Sequence, residues 1–103
     1  MNRAEQIYQN APLYNLSIHA NKRASQRGIS KKIIELIQIY GEEAPSSHGC
    51  VIKFFPKKEL GFIYSELTKN ERKILKDKED TYIVENDGFV ITTGHRHKKI
   101  IQH

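Results

Sequence analysis

Thr81-Tyr-Ile-Val-Glu85-Asn86-Asp87-Gly88-Phe89-Val-Ile-Thr-Thr93 is the stretch on which the fold turns. Two runs of β-branched and aromatic residues flank Asn86-Asp-Gly88, the strongest short-range hairpin signal in the chain. The spacing predicts strands over Thr81 to Glu85 and Phe89 to Thr93, with the basic tail Arg96 to His103 extending the second. Val51 to Phe55, closed by Pro56, reads as a further strand. Glu42 to Gly49, with Pro45, two serines and Gly49, reads as a loop crossing to the sheet.

The first half of the chain has helical periodicity instead. Ser17 is an N-cap for a helix-forming run that stops at Gly28, and Ser30 caps a second helix from Lys31 to Tyr40, ended by Gly41. Ile33, Ile34, Leu36, Ile37 and Tyr40 make that second helix broadly apolar on one side. Lys57 to Lys78 is helical in pattern, through Leu60, Ile63, Tyr64, Leu67, Ile74 and Leu75. Gly61 and Thr68-Lys-Asn-Glu leave one long helix and two shorter ones equally open. Phe54, Phe55, Phe62, Tyr64 and Phe89 lie at core-like spacings, and most of them are expected inside. The order predicts an α+β fold: a small three- to four-stranded, mainly antiparallel sheet with helices packed on one face. The other face would be open to the basic residues of the last strand.

A chain of 103 residues supports one modest core, read as a single domain over 17–103 after an N-terminal lead-in over 1–16. Lys and Arg outnumber Asp and Glu by 17 to 12, a formal charge of +5, which favours a polyanionic partner. The lone cysteine, Cys50, rules out an internal disulfide and fits a reducing compartment; it reads as a small buried hydrophobe. No apolar run approaches the ~20 residues of a membrane helix, so the expected setting is soluble and cytoplasmic, without membrane contact.

Chemistry concentrates in two places. His19-Ala-Asn-Lys-Arg23-Ala-Ser-Gln-Arg27-Gly28-Ile29 sets a histidine and two arginines four residues apart, along one side of a helix. Thr92-Thr-Gly94-His95-Arg96-His97 brings two more histidines and an arginine to the end of the last strand. Together with Tyr40-Gly41-Glu42 and Tyr82-x-Val84, these motifs resemble a widespread family of small bacterial domains of unknown function, over roughly Ser17 to Ile100. That family is similar in turn to the RelE-like and barnase/EndoU/colicin-type ribonucleases, which include many toxins. The resemblance implies a RelE-like fold and puts weight on His19, Arg23, Arg27, His95 and Arg96.

Residue chemistry points the same way. Metal-independent RNA cleavage needs a base for the 2′-hydroxyl proton, an acid for the leaving 5′-oxygen, and cations for the phosphoryl charge. His19 and His95 are the candidate acid/base pair. Arg23, Arg27, Arg96, His97 and Lys98 are the candidate phosphate or RNA contacts, with His97 able to replace His95 and with Thr93 and Tyr82 secondary. No cofactor and no metal is expected: His48, Cys50, His95, His97 and His103 form no recognised ligand motif.

The function read from the sequence is a toxin-like endoribonuclease acting on mRNA, tRNA or the ribosome, as a monomer or weak dimer. The alternatives are a non-catalytic RNA- or ribosome-binding module and a domain that meets an acidic, antitoxin-like protein. Against all three stands a plain solvated face, its arginines paired with Glu35, Glu42 or Glu43. A helix-turn-helix DNA reader is disfavoured by the apolar second helix.

Overall fold

β3 (Thr81–Asn86) and β4 (Phe89–His95) form the expected hairpin in the computed structural model, which describes residues 16–96. Asp87 and Gly88 make the turn at φ of 51° and 80°. Both central residues are therefore left-handed, the geometry that matches the twist of the flanking strands. The register runs from Asn86↔Phe89 to Thr81↔His95 and slips once at Val84/Glu85, where Ile91 is an extra residue on β4. The predicted strand ends fall short by one residue on β3 and two on β4.

β2 (Val51–Phe54) pairs with β3, and β1 (Glu42–Pro45) pairs with β2, giving a four-stranded antiparallel sheet of order β1-β2-β3-β4. β1 corrects the predicted loop. Glu42-Glu43-Ala44-Pro45 has no alternating apolar signal, and its strand conformation comes from the partner's backbone. A proline is tolerated at such an edge because its missing N–H costs no ladder bond on the solvent side. Glu43 is also tied across to Lys53, 3.4 Å away. The rest of the predicted loop is a short 3-10 turn, Ser47–Gly49.

α1 (Ile18–Gln26) and α2 (Lys31–Tyr40) begin where their caps predict. Ser17 accepts from the Ala20 N–H at 3.0 Å, and Ser30 from the Ile33 N–H at 3.2 Å. Gly28, at φ +65°, ends α1 in the left-handed region. Gly41 ends α2 for another reason: its φ is −72°, and a Cβ there would run into the Ile37 carbonyl and stand 3.2 Å from the Phe54 carbonyl. The third helical region is divided into α3 (Leu60–Glu66) and α4 (Lys69–Lys76). Thr68 and Glu71 divide it, each side chain bonding the other's backbone N–H in a capping box.

The core is built from Ala20, Ala24, Ile33, Ile34, Leu36 and Ile37 of the first two helices. They meet Phe55, Ile63, Leu67, Leu75, Ile83 and Val90. Ala20 and Ala24 are small enough to bring α1 close alongside β4. Phe62 and Phe89, read from their spacing as core, are 62% and 52% exposed. Phe62 lies on a seven-residue helix that buries Ile63, and Phe89 sits beside the hairpin turn. Cys50 is half-buried rather than inside. No helix among the described residues is long and apolar enough to cross a membrane.

Polar groups close the helical layer. Glu35 is buried on α2, and burial, with Glu71 nearby, raises its carboxyl above the ordinary range. Lys32 lies 3.3 Å from Glu35 and 2.9 Å from Glu71. For Glu71 burial works against ionisation, but the Thr68 N–H and the Lys32 ammonium outweigh it and hold the carboxyl below its usual range. On α3, burial and the hydrogen bond to Glu79 push the Tyr64 phenol up to about 12.

Because that phenol is raised in the folded state, its contribution to stability is complete below pH 10.0 and is lost as pH climbs toward about 12. Denaturant unfolding across that window therefore loses stability in the wild type, and Tyr64→Phe loses measurably less.

Candidate nucleic-acid interface between α1 and the sheet

α1 runs along β4 in the same direction and is fastened at both ends. At the start, Leu16 bridges Val90 in parallel, and the Ser17 N–H donates to the Val90 carbonyl at 3.0 Å. At the end, Arg27 Nη1 donates to the Thr93 carbonyl at 2.8 Å. The helix thus covers the exposed side of an edge strand, a common protection against further strand pairing. It also decides where each basic side chain lies.

Alternation along β4 separates the predicted site residues. Gly94 pairs with Tyr82, and Tyr82 with Phe54, so the three form one cross-strand row on one face. A Cβ on Gly94 would collide with Arg27 Nη1 and stand 3.1 Å from the Tyr82 hydroxyl. Glycine is therefore the residue that leaves room for the Arg27 guanidinium beside Tyr82. Arg96 reaches the same row, its guanidinium 5.0 Å over the Phe54 ring and its Nη2 donating to the Phe55 carbonyl at 3.2 Å. Arg27 and Arg96 thus bracket Tyr82, and this part of the predicted site is assembled.

His95 belongs to the opposite face. It pairs with Thr81, and both its ring nitrogens face protein oxygens. Nδ1 is 3.2 Å from Asp80 Oδ1 and 3.4 Å from Thr81 Oγ1, and Nε2 is 3.2 Å from the Arg27 carbonyl. An imidazole held between a carboxylate and a helix-terminal carbonyl has no ring nitrogen left for substrate.

His19 is exposed in the first turn of α1, its Nε2 accepting from Arg23 Nε at 3.4 Å. Eight residues of helix put His19 about 12 Å along the axis from Arg27, whose carbonyl His95 touches. Two groups working on one phosphate must reach oxygens only a few ångströms apart, so the predicted His19–His95 acid/base pair does not meet. Thr93, one of the two secondary candidates, is fully buried, and its hydroxyl donates to the Tyr82 carbonyl at 2.8 Å. His97 and Lys98 lie outside the described residues.

The arginines are not the paired surface that competed with a site reading. Glu43 and Glu85 hold Lys53, at 3.4 and 2.9 Å, and Glu35 and Glu71 hold Lys32. Asp80 is taken by His95. Among the described residues, no ion pair involves Arg23, Arg27 or Arg96. Nor does any group of three or more His, Cys, Asp and Glu residues among them have the placement to hold a metal ion.

Tyr82 and Phe54 are the site residues that sequence reasoning undervalued. Tyr82 was read only as a secondary candidate and Phe54 only as core, since the neighbours that bring them into the site, Gly94, Arg27 and Arg96, come from distant parts of the chain. No family model, no curated protein and no solved structure matches the chain.

Two glycine substitutions separate crowding from conformational freedom. Gly94→Ala must displace Arg27 or Tyr82, and it lowers unfolding free energy by about 1–3 kcal/mol. Gly61→Ala, in helix α3 with nothing within 4 Å of its Cβ, raises it by about 0.5–1 kcal/mol. Chemical denaturation of both variants checks the pair of signs.

Proposed function

We propose that this protein binds single-stranded RNA along the junction of α1 with the sheet, through Arg23, Arg27 and Arg96. The observation that carries this reading is the charge pairing: Lys32, Lys53 and His95 are each met by a carboxylate, while among the described residues no ion pair involves the three arginines. Guanidinium forks left free of carboxylates suit phosphate oxygens, which they bind in pairs of parallel hydrogen bonds. Tyr82, partly exposed between Arg27 and Arg96, offers an aromatic ring and a hydroxyl to a nucleotide lying across the row.

Fluorescence anisotropy with a short unstructured oligoribonucleotide tests the proposal. Binding strengthens as salt is lowered, and each of Arg23→Ala and Arg27→Ala reduces the slope of log K against log salt by about 0.7, the value for one single-strand phosphate contact. Absence of binding at low salt sinks it. A stable complex with an acidic protein, in the absence of RNA affinity, would instead assign the arginines to a protein partner of the antitoxin kind.

One observation favours a second, stronger reading, a RelE-like, toxin-like endoribonuclease. His19 is exposed and lies beside Arg23, so an imidazole able to move a proton stands next to a group able to hold a phosphate. In that reading His19 alone of the two histidines touches the RNA. Cleavage of end-labelled RNA without added metal, abolished in His19→Ala while binding persists, is the expected result. RNA that stays intact while bound confines the protein to the binding role.

A further inference from the structure

The geometry points to His95 as a positioning residue that sets the phosphate-binding Arg27 from the far side of the sheet and makes anion binding sensitive to acidity. This rests on the RNA-binding reading of Arg27 given above. The imidazole spans three segments: β4, which carries it, Asp80 immediately before β3, and the carbonyl of Arg27 at the C-terminal end of α1. Arg27's own side chain leaves the same backbone and crosses to the Gly94 row. One residue is therefore held by its carbonyl on one face while it offers its guanidinium on the other.

Protonation governs that hold through simple donor counting. The Arg27 carbonyl and the Asp80 carboxylate can only accept, so both contacts are hydrogen bonds only when the ring carries protons on Nδ1 and Nε2. The neutral ring keeps one of them. The Asp80 carboxylate is the stronger acceptor, so the remaining proton stays on Nδ1, and Nε2 faces the Arg27 carbonyl lone pair to lone pair.

The last carbonyls of a helix lack intrahelical donors and carry the negative end of its dipole. Near the same helix end stands Lys78, with Nζ 3.7 Å from the position of a Gly28 Cβ, and the Arg96 backbone N–H donates to the Asp80 carbonyl at 2.9 Å. His95 is only 23% exposed, so solvent replaces a lost contact poorly.

The ring therefore ties α1 to the sheet most firmly when doubly protonated. Loss of one ring proton as pH rises leaves the Arg27 carbonyl without its donor, loosens the end of α1, and lets Arg27 leave its place over Gly94 more often. RNA affinity falls with it, although His95 never touches the RNA.

The test uses the full chain with His19→Ala as background, which removes the histidine of α1. Affinity for a short oligoribonucleotide is measured at constant ionic strength from about pH 5 to 8, the span over which histidine changes charge. Affinity is expected to fall by about five-fold or more, the size of an ordinary coupling. Added His95→Asn flattens the profile at its weaker, high-pH level, and Asp80→Asn reduces the step. An undiminished step in the His95→Asn protein overturns the inference, as does a flat profile in the background protein.

A second readout needs no RNA. The Arg27 side-chain Nε resonance, followed by NMR in the free protein, moves with pH in the wild type and stays still in His95→Asn and His95→Gln, two variants that guard against a fold lost in either one. If wild-type protein binds no RNA yet Arg27 tracks the histidine, the RNA reading fails and the positioning role stands. If Arg27 ignores the histidine, the positioning role fails whatever the RNA result.

Discussion

The alignment of α1 along β4 is the constraint on which the rest depends. Ser17 meets Val90 at one end, and Arg27 meets Thr93 and His95 at the other. A helix rises about 1.5 Å per residue and a strand about 3.4 Å. Ten residues of helix from Ser17 to Arg27 therefore run alongside about five of strand, the distance from Val90 to His95. Ala20 and Ala24 make the match possible, because larger side chains would push the helix away from the core. With the helix fixed in this way, an edge strand that would otherwise offer free backbone groups is covered, and one line of basic side chains is brought to the border of the sheet.

The charge distribution follows from that arrangement. Lysines on α2 and β2 each sit between two carboxylates, Lys32 between Glu35 of its own helix and Glu71, and Lys53 between Glu43 and Glu85. The arginines of α1 and the last strand enter no ion pair among the described residues, although Glu42 continues the row of Phe54, Tyr82 and Gly94 on β1. Exposed ion pairs contribute little to stability, so the pairing matters less for the fold than for what remains unneutralised. Arg27 and Arg96 thereby keep their guanidinium charge beside Tyr82, where Gly94 leaves room for Arg27.

Much of the fold was legible because its signals are local. Ser17 and Ser30 cap helices with their own hydroxyls, Gly28 ends one with a left-handed φ, and Asp87-Gly88 turns a hairpin with two. Each of these needs only a few neighbouring residues. β1 was not legible, since Glu42-Glu43-Ala44-Pro45 becomes a strand through the backbone of β2 and not through its own side chains. Phe62 and Phe89 were misplaced for a related reason: aromatic character marks a residue as suited to a core, but the angle of a short helix and the end of a hairpin decide which way it faces.

The candidate site divides in the same manner. The sequence alone determined that His19, Arg23 and Arg27 share one side of a helix, because a period of 3.6 residues leaves them no other arrangement, and that a second basic cluster ends the last strand. Only the tertiary structure decided which of them meet. Strand alternation sends Gly94 to the face of Tyr82 and Phe54, which Arg27 and Arg96 also reach, and sends His95 to the other. The length of α1 holds His19 apart from the helix end that His95 touches. The motif that read as two catalytic histidines is, in three dimensions, an arginine-lined face with one histidine at its margin and another behind it, fastening the helix.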